Sequence, residues 1–556
     1  MGAVIAAVLA VGVLLALRLP TLRNPILNVD EADFAVEAGS LLDGGRPYVD
    51  FVEKKPPLIY VAYAAALSLV GRYDLPGLRL LLLSYVLATA LVLAAIARRL
   101  SGSRAAWIAP PLYAAMVSAG PPMDVHTANP ETFFLLPLLV GTRLALSKRS
   151  EGPAPGLSRL LAAGAFVGIA SLFKQQAGIQ LPILVASLLV SGAGAPTVSA
   201  PFAHTPEPDA RGLWRRAWTH PRIRAAAALA AGFAAIWLAT LAVLAAIGSL
   251  GEFFYWTVEV NRYYIANGNN LPDSVDRFRR SLWLLASFLP LVWLAGLGGL
   301  AWHLGRHRWR SPLLPLWLGG SLIPIVLGGR FFPHYYLQLF PALVLLAAAA
   351  LAALWDRAAA ARSWPRALVA GGVAAGLVAF TGVRLESKMS LFRDPEILAI
   401  PHATPRARAL AAYVREHTAP DARILVWGYG SALYHLAQRR PATRFPYVTY
   451  LVGAVEGTPS WWSPFHPSRS LEIPRAWTLF FQDLERHPPE LVIDTASAGY
   501  LAFTKFPIEK YPALLQVLER DYERTQIEGF TVWRRLAFTR TVASTSAAGS
   551  ATKTAP

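Results

Sequence analysis

The chain alternates long uncharged apolar runs with short basic connections. That pattern restricts it to few folds. Residues 225–247 and 335–355 contain no charged side chain, and about 20 apolar residues suffice to cross a bilayer as a helix. Across 556 residues the composition is 54% hydrophobic and only 15% charged, well below the roughly 25% charge of soluble domains. Spanning helices are expected near 2–18, 79–97, 105–119, 131–146, 159–173, 178–191, 225–247, 281–302, 312–328, 335–355 and 366–383. Residues 57–71 are apolar but short, and suit a juxtamembrane or re-entrant helix. The first segment has no basic residues before it and no convincing cleavage site, so it reads as a retained helix. The expected class is a multi-pass α-helical membrane protein with about 11 transmembrane helices.

Charge placement orients the helices. With 57–71 not crossing, Arg98-Arg99, Lys148-Arg149, Arg215-Arg216, Arg306-His307-Arg308 and Arg357 share one side. Short basic loops mark the cytoplasmic face. Asp30, Glu31, Lys55, Asp124, Lys174, Arg330 and the C-terminal region then lie outside. Arg18 and Arg23 run against this scheme. The net charge of +18 is spread over such loops, so it points to topology and not to nucleic acid. With no cysteine, disulfides and thiolate metal sites are excluded.

Beyond residue 385 the pattern changes. Segments 422–427, 491–494 and 529–533 read as strands, and Ser431–Arg439 as a helix with Ser431 as its cap. Strands alternating with helices indicate a small extracytoplasmic α/β domain. The expected divisions are 1–385 (membrane, with a first outer loop 19–78), 386–540 (α/β domain) and 541–556 (a Ser/Thr/Ala-rich disordered tail).

Charged groups at the membrane edge carry the chemistry. Asn28-Val29-Asp30-Glu31 follows the first span, and Glu53-Lys54-Lys55-Pro56-Pro57-Leu58 closes the loop. Such groups are costly at a membrane edge unless they bind something charged. The alternative is that Asp30 caps the helix that follows it. The prolines start a helix near Pro57 and place a lysine at its N-terminus, where anions bind well. A second acidic site holds Asp124 and Glu131, with His126 between them. This trio could hold a divalent cation, though its spacing is not diagnostic. Lys174 reads either as a snorkelling anchor or as a phosphate contact. Arg330, His334, Tyr335 and Gln338 gather at one outer boundary, where a planar guanidinium matches phosphate oxygens. The aromatic loop 252–280 reads either as a lid or as an interfacial helix.

The Asp-Glu pair after the first span followed by Lys-Pro-Pro-Leu resembles the C-type membrane glycosyltransferases, in particular bacterial protein O-mannosyltransferases and lipid A aminoarabinose transferases. The chain departs from the latter at Asp33, where those enzymes carry a basic residue. The resemblance implies inverting transfer of a sugar from a polyprenyl-phosphate donor to an extracytoplasmic acceptor (lipid, glycan or protein) at the plasma (inner) membrane. It assigns Asp30 as base, with Glu31 beside it, and either Asp124 or Glu131 as second acid. It gives Lys54, Lys55, Lys174, Arg330, His334 and Tyr335 to the donor phosphate. No cofactor is required, and a divalent cation is an open option. The rival reading is a lipid or polysaccharide transporter, which would bury its charges near mid-membrane and carry inverted repeats. Here the charges gather at one face and no repeat is visible. An inactive scaffold subunit is a third reading, under which Asp30 would be dispensable.

Overall fold

The computed structural model describes residues 2–146, 155–190, 220–262, 271–307, 311–360, 376, 379–391, 402–454 and 472–536. In chain order its membrane region contains α1 (Gly2–Arg18), α2 (Val29–Leu42), α3 (Leu58–Val70), α4 (Leu75–Ser101), α5 (Ser103–Met116), α6 (Pro122–Val125), α7 (Pro130–Ala145), α8 (Leu157–Ser171) and α9 (Gln180–Val190). It continues through α10 (Pro221–Ala246), α11 (Leu250–Phe254), α12 (Leu271–Phe288), α13 (Pro290–His307), α14 (Leu313–Gly328) and α15 (Phe340–Ala360).

Every expected span up to residue 355 overlaps helix among the described residues, with one correction. The span at 281–302 is two helices, α12 and α13, meeting at 106°. Pro290 explains the break. It supplies no N–H, and it disfavours helical geometry in the residue before it. Among the described residues, four helical stretches are long and apolar enough to cross a membrane alone, or five if the bent pair counts as one. Four shorter apolar helices accompany them, so length and composition do not give eleven independent spans. The expected span at 366–383 lies largely outside the described residues, as do Lys148, Arg149, Arg215, Arg216, Arg308 and the tail 541–556.

Backbone proximity joins the helices where glycine allows it. Gly164 of α8 and Gly232 of α10 each face the other helix's backbone, and a Cβ on either would overlap the carbonyl oxygen of Leu229 or Leu161. Small residues at such crossings let membrane helices approach closely. Arg98 and Arg99 end α4, and Arg357 ends α15. An ion pair between Arg104 and Asp356 ties the start of α5 to that same end of α15.

The C-terminal region forms a five-stranded mixed sheet from β1 (Arg423–Trp427), β2 (Arg440–Pro441), β3 (Leu491–Asp494), β4 (Tyr522–Ile527) and β5 (Phe530–Arg535), in the order β2-β1-β3-β5-β4. The parallel pairs are β1–β2 and β1–β3, and β5 runs antiparallel to both β3 and β4. Helices α16 (Pro405–His417), α17 (Ser431–Ala437), α18 (Thr449–Val452), α19 (Ala476–Arg486) and α20 (Pro512–Asp521) complete it. The three expected strands are present, and β2 and β4 are additions. β2 is only two residues long, too short for a pattern. β4 is an edge strand with mostly exposed polar residues, so it lacks apolar alternation. Its hairpin turn, Glu528-Gly529, has positive φ at both residues (53° and 83°), as a tight two-residue turn requires. Ser431 does not cap α17. Gly430 occupies that position, and the Ser431 hydroxyl donates to the Pro446 carbonyl at 3.2 Å.

Candidate active site

The first outer loop is built around α2. Its cap is Asn28, whose side-chain oxygen accepts from the Asp30 N–H at 3.0 Å while its amide donates to the Met123 carbonyl at 2.7 Å. This corrects the capping alternative for Asp30 and leaves that carboxylate available. Asp30, Asp33 and Glu37 follow at the spacing that stacks residues on one helix face. Glu31, one residue round, points elsewhere. It is fully buried, lies 3.3 Å from Arg79 Nε, and accepts from the Leu27 N–H. Arg79 also donates to the carbonyls of Thr21 (2.8 Å), Asn24 and Pro25 (3.1 Å). The expected partnership of Glu31 with Asp30 is therefore corrected in placement: Glu31 holds the chain entering the loop.

Lys55 enters from the other end of the loop. The following helix begins at Leu58 with Pro57 at its cap. The backbone carbonyl of Lys55 accepts from Tyr48 (2.8 Å) and Tyr60 (3.3 Å). Its ammonium lies 3.6 Å from Glu53 and 4.7 Å from the Phe34 ring centroid. Glu53 in turn accepts from the Tyr447 hydroxyl at 2.9 Å and from the Lys54 backbone N–H. Tyr447 and Tyr450, whose hydroxyls are 3.2 Å apart, come from the C-terminal domain. Sequence reasoning had assigned roles to none of these three residues. The acid directly before the lysine pair was the available signal for Glu53, and nothing local marked the tyrosines.

These groups line a cavity of about 540 Å³ shared with Lys54, Lys174, Glu131, His334 and Tyr335. Asp30 and Asp33 form one wall, Pro324, Leu327 and Gly328 of α14 an apolar one, and Tyr429, Tyr447 and Tyr450 that of the C-terminal domain. The loop acids lie outside the spans and titrate apart. Burial raises the Asp30 carboxyl, but Lys55, His334, Lys174 and Lys54 together outweigh it and hold Asp30 below its ordinary value. Burial and the Asp30 charge push Asp33 well above its own, and burial, Glu53 and Asp33 do the same to Glu37. Burial opposes the Lys55 charge, yet Glu53 and Asp30 raise its pKa overall. Along one face of α2 the carboxyls thus shift in opposite directions, Asp30 down and Asp33 and Glu37 up, the separation that lets neighbouring carboxyls take different roles.

The second acidic region divides. Asp124 Oδ1 lies 3.0 Å from His334 Nδ1, whereas Glu131 lines the cavity and pairs with Lys174 and, at 3.3 Å, with Gln176. Lys174 also stands 3.8 Å from the Tyr335 ring centroid, so it bridges two residues and is not a free snorkelling anchor. His126 turns away to Ser118 O at 2.8 Å, and burial pushes its pKa down to about 3. Asp124, His126 and Glu131 therefore do not converge, and no group of three or more potential ligands is set to hold a metal ion among the described residues. Arg330, expected at the donor phosphate, is buried and is not among the residues lining the cavity. It sits between two left-handed residues, Gly329 (φ 63°) and Phe331 (φ 55°), and Phe332, His334 and Tyr335 take the wall instead. Of the aromatic loop, Trp256 packs on Phe445 and Tyr450, and Asn261 donates to the Lys54 carbonyl at 3.0 Å. Thr257, Val258 and Val260 complete the wall. Tyr263 and Tyr264 lie outside the described residues.

A family model described as dolichyl-phosphate-mannose-protein mannosyltransferase matches residues 54–206, a stretch that begins at Lys54. Among solved structures, ArnT from Cupriavidus metallidurans bound to undecaprenyl phosphate is 17% identical, with a TM-score of 0.56 over 95% of this chain and 97% of that one. The archaeal oligosaccharyltransferase AglB from Archaeoglobus fulgidus, in complex with an inhibitory peptide and a dolichol-phosphate, is 13% identical, with a TM-score of 0.53 over 96% and 74%. The chain has the fold of the C-type membrane glycosyltransferases. No curated protein sequence matches it. The two alignments run along nearly the whole chain.

Proposed function

We propose that the protein transfers a sugar from a polyprenyl-phosphate-linked donor to an extracytoplasmic acceptor, with inversion. The observation that carries this reading is a single cavity holding the ionised Asp30 together with the ammonium groups of Lys54, Lys55 and Lys174. The acceptor hydroxyl or amine attacks the anomeric carbon and its proton passes to Asp30. The bond to the phosphate oxygen breaks on the opposite face, and the lysines with His334 and Tyr335 take up the negative charge left on the polyprenyl phosphate. The upward shifts of Asp33 and Glu37 favour their uncharged forms, which reduces their repulsion of that phosphate. The apolar wall from α14 suits the prenyl chain, and the tyrosines of the 386–540 domain suit an acceptor. Glu131 positions Lys174, and Asp124 positions His334. Arg330 acts behind them, as a support for the segment that carries His334. Arg98, Arg99, Arg306 and Arg357 at far helix ends favour an inner-membrane orientation with the cavity on the periplasmic or extracellular side.

Sugar transfer from a synthetic polyprenyl-phosphate donor by the purified protein in detergent tests the reading. Asp30→Asn keeps the side chain's size but cannot take a proton, so turnover should fall at least about 100-fold with donor binding retained. Lys55→Ala should instead weaken donor binding by about 1.5–3 kcal/mol, the worth of one charged hydrogen bond. Turnover by Asp30→Asn above about a tenth of wild type would overturn the assignment of Asp30 as a base of that strength.

A further inference from the structure

A second cavity, of about 230 Å³, lies where the C-terminal end of α2 meets the sheet edge of the C-terminal domain. Arg72, Arg423, Arg440, Arg444 and Arg486 line it, against the carboxylates of Asp43, Asp50 and Asp483. Each of those carboxylates is engaged. Asp483 takes both prongs of Arg444 at 2.8 Å. Asp43 takes both of Arg72 at 2.7 Å and a third contact from Arg440 at 3.2 Å. Asp50 accepts from the Arg46 backbone at 2.7 Å. The hydrogen bond of Arg423 goes to the Pro441 carbonyl at 2.9 Å. Among the described residues the wall therefore carries two more guanidiniums than carboxylates, the five arginines coming from β1, β2, the segment after β2, α19 and the segment after α3. Burial and the charge of Arg440 lower the Arg423 pKa, and burial with Arg423 and Arg486 lowers that of His487.

We propose that this cavity binds a phosphate group and so fastens the first outer loop to the C-terminal domain. Arginine forks match phosphate oxygens in pairs. At about 30 Å³ per water the space equals roughly seven or eight waters. That admits a phosphate with a headgroup or one sugar. The donor's own phosphate is not the occupant: Asp30 and Asp43 stand near opposite ends of α2, about 20 Å apart at 1.5 Å per residue. The phosphate belongs either to an anionic lipid headgroup or to a free phosphorylated small molecule. The inference is independent of the transfer reading, since it involves no residue assigned to that reaction.

The test is a titration of the full chain in detergent with inorganic phosphate, read as the thermal unfolding midpoint against sodium chloride at equal ionic strength. It uses wild type, Lys55→Ala, and Arg423→Gln/Arg486→Gln. Arg423 is half-buried and Arg486 exposed, so the double variant is expected to fold, and Arg486→Gln alone is a milder second variant. A saturable, phosphate-specific rise is expected in wild type and in Lys55→Ala, weakened about tenfold or more in the double variant. No rise beyond chloride in Lys55→Ala, or equal affinity in the double variant, overturns the proposal. Repeating the titration in phosphatidylglycerol and phosphatidylcholine nanodiscs assigns the source. Loss of the phosphate response only with phosphatidylglycerol identifies a lipid headgroup, and an equal response in both identifies a free phosphate compound.

Discussion

Asp30 and Glu31 are adjacent in sequence, and their replacement should have opposite consequences. Glu31 is fully buried and Arg79 is 2% exposed, so their pair is shielded from solvent. Removing one member of a buried pair costs about 3–5 kcal/mol when the other is left uncompensated. The two removals are not equal here. Without Glu31 the Arg79 guanidinium keeps the carbonyls of Thr21, Asn24, Pro25 and Leu75. Glu31→Gln should then cost nearer the 1–3 kcal/mol of a lost charged hydrogen bond. Without Arg79, the Glu31 carboxyl retains the backbone N–H of Leu27, and burial already raises its pKa. Arg79→Met should cost the full ~3–5 kcal/mol. Glu31→Leu combined with Arg79→Met removes both charges and should recover much of the loss. Unfolding midpoints in detergent, read by tryptophan fluorescence beside transfer rates, would give the order wild type, Glu31→Gln, Arg79→Met, with the double variant above Arg79→Met. Residual transfer per folded molecule should stay close to wild type in Glu31→Gln. A Glu31→Gln protein that melts like wild type and binds donor but fails to transfer would refute this reasoning and return Glu31 to the reaction.

Two further outcomes rest on other parts of the fold. Gly232→Ala should force α8 and α10 apart and cost about 1–3 kcal/mol, seen as a lower midpoint, whereas Gly298→Ala, whose Cβ would meet open space, should be silent; equal midpoints would contradict the close crossing. Burial raises the Asp494 pKa from 3.8 to about 6, against hydrogen bonds from the Ala496 and Ile508 backbone. A carboxyl raised in the folded state is most stabilising when protonated. Its contribution should therefore be fully present below about pH 4 and decline by about 3 kcal/mol as pH rises to about 6. Asp494→Asn should flatten that part of the midpoint-versus-pH curve, and an unchanged slope would reject the assignment.

Hydrophobic segmentation was legible from residue types alone, because an uncharged run long enough to span a bilayer is visible in one dimension. So were the Asn28–Glu31 and Lys54–Pro57 ends of the first loop, which are local in sequence. The break before Pro290 was also written there, in a proline that cannot continue the preceding helix, but the apolar run around it masks the signal. Only the tertiary structure separated Asp30 from Glu31. Neighbours on a helix point in different directions, and which direction meets the cavity depends on what packs against each face. The same holds for the partners. Tyr447 reaches Glu53 across 394 positions, His334 reaches Asp124 across 210, and Asn261 reaches the Lys54 carbonyl across 207. No periodicity encodes such pairings. Arg330 and Lys174 both read as membrane-edge cations, and packing alone put Lys174 in the cavity wall and Arg330 behind it. Sequence supplied the charges and the apolar runs that separate them; the fold decided which of them meet, because burial and opposing charge are properties of three-dimensional neighbours.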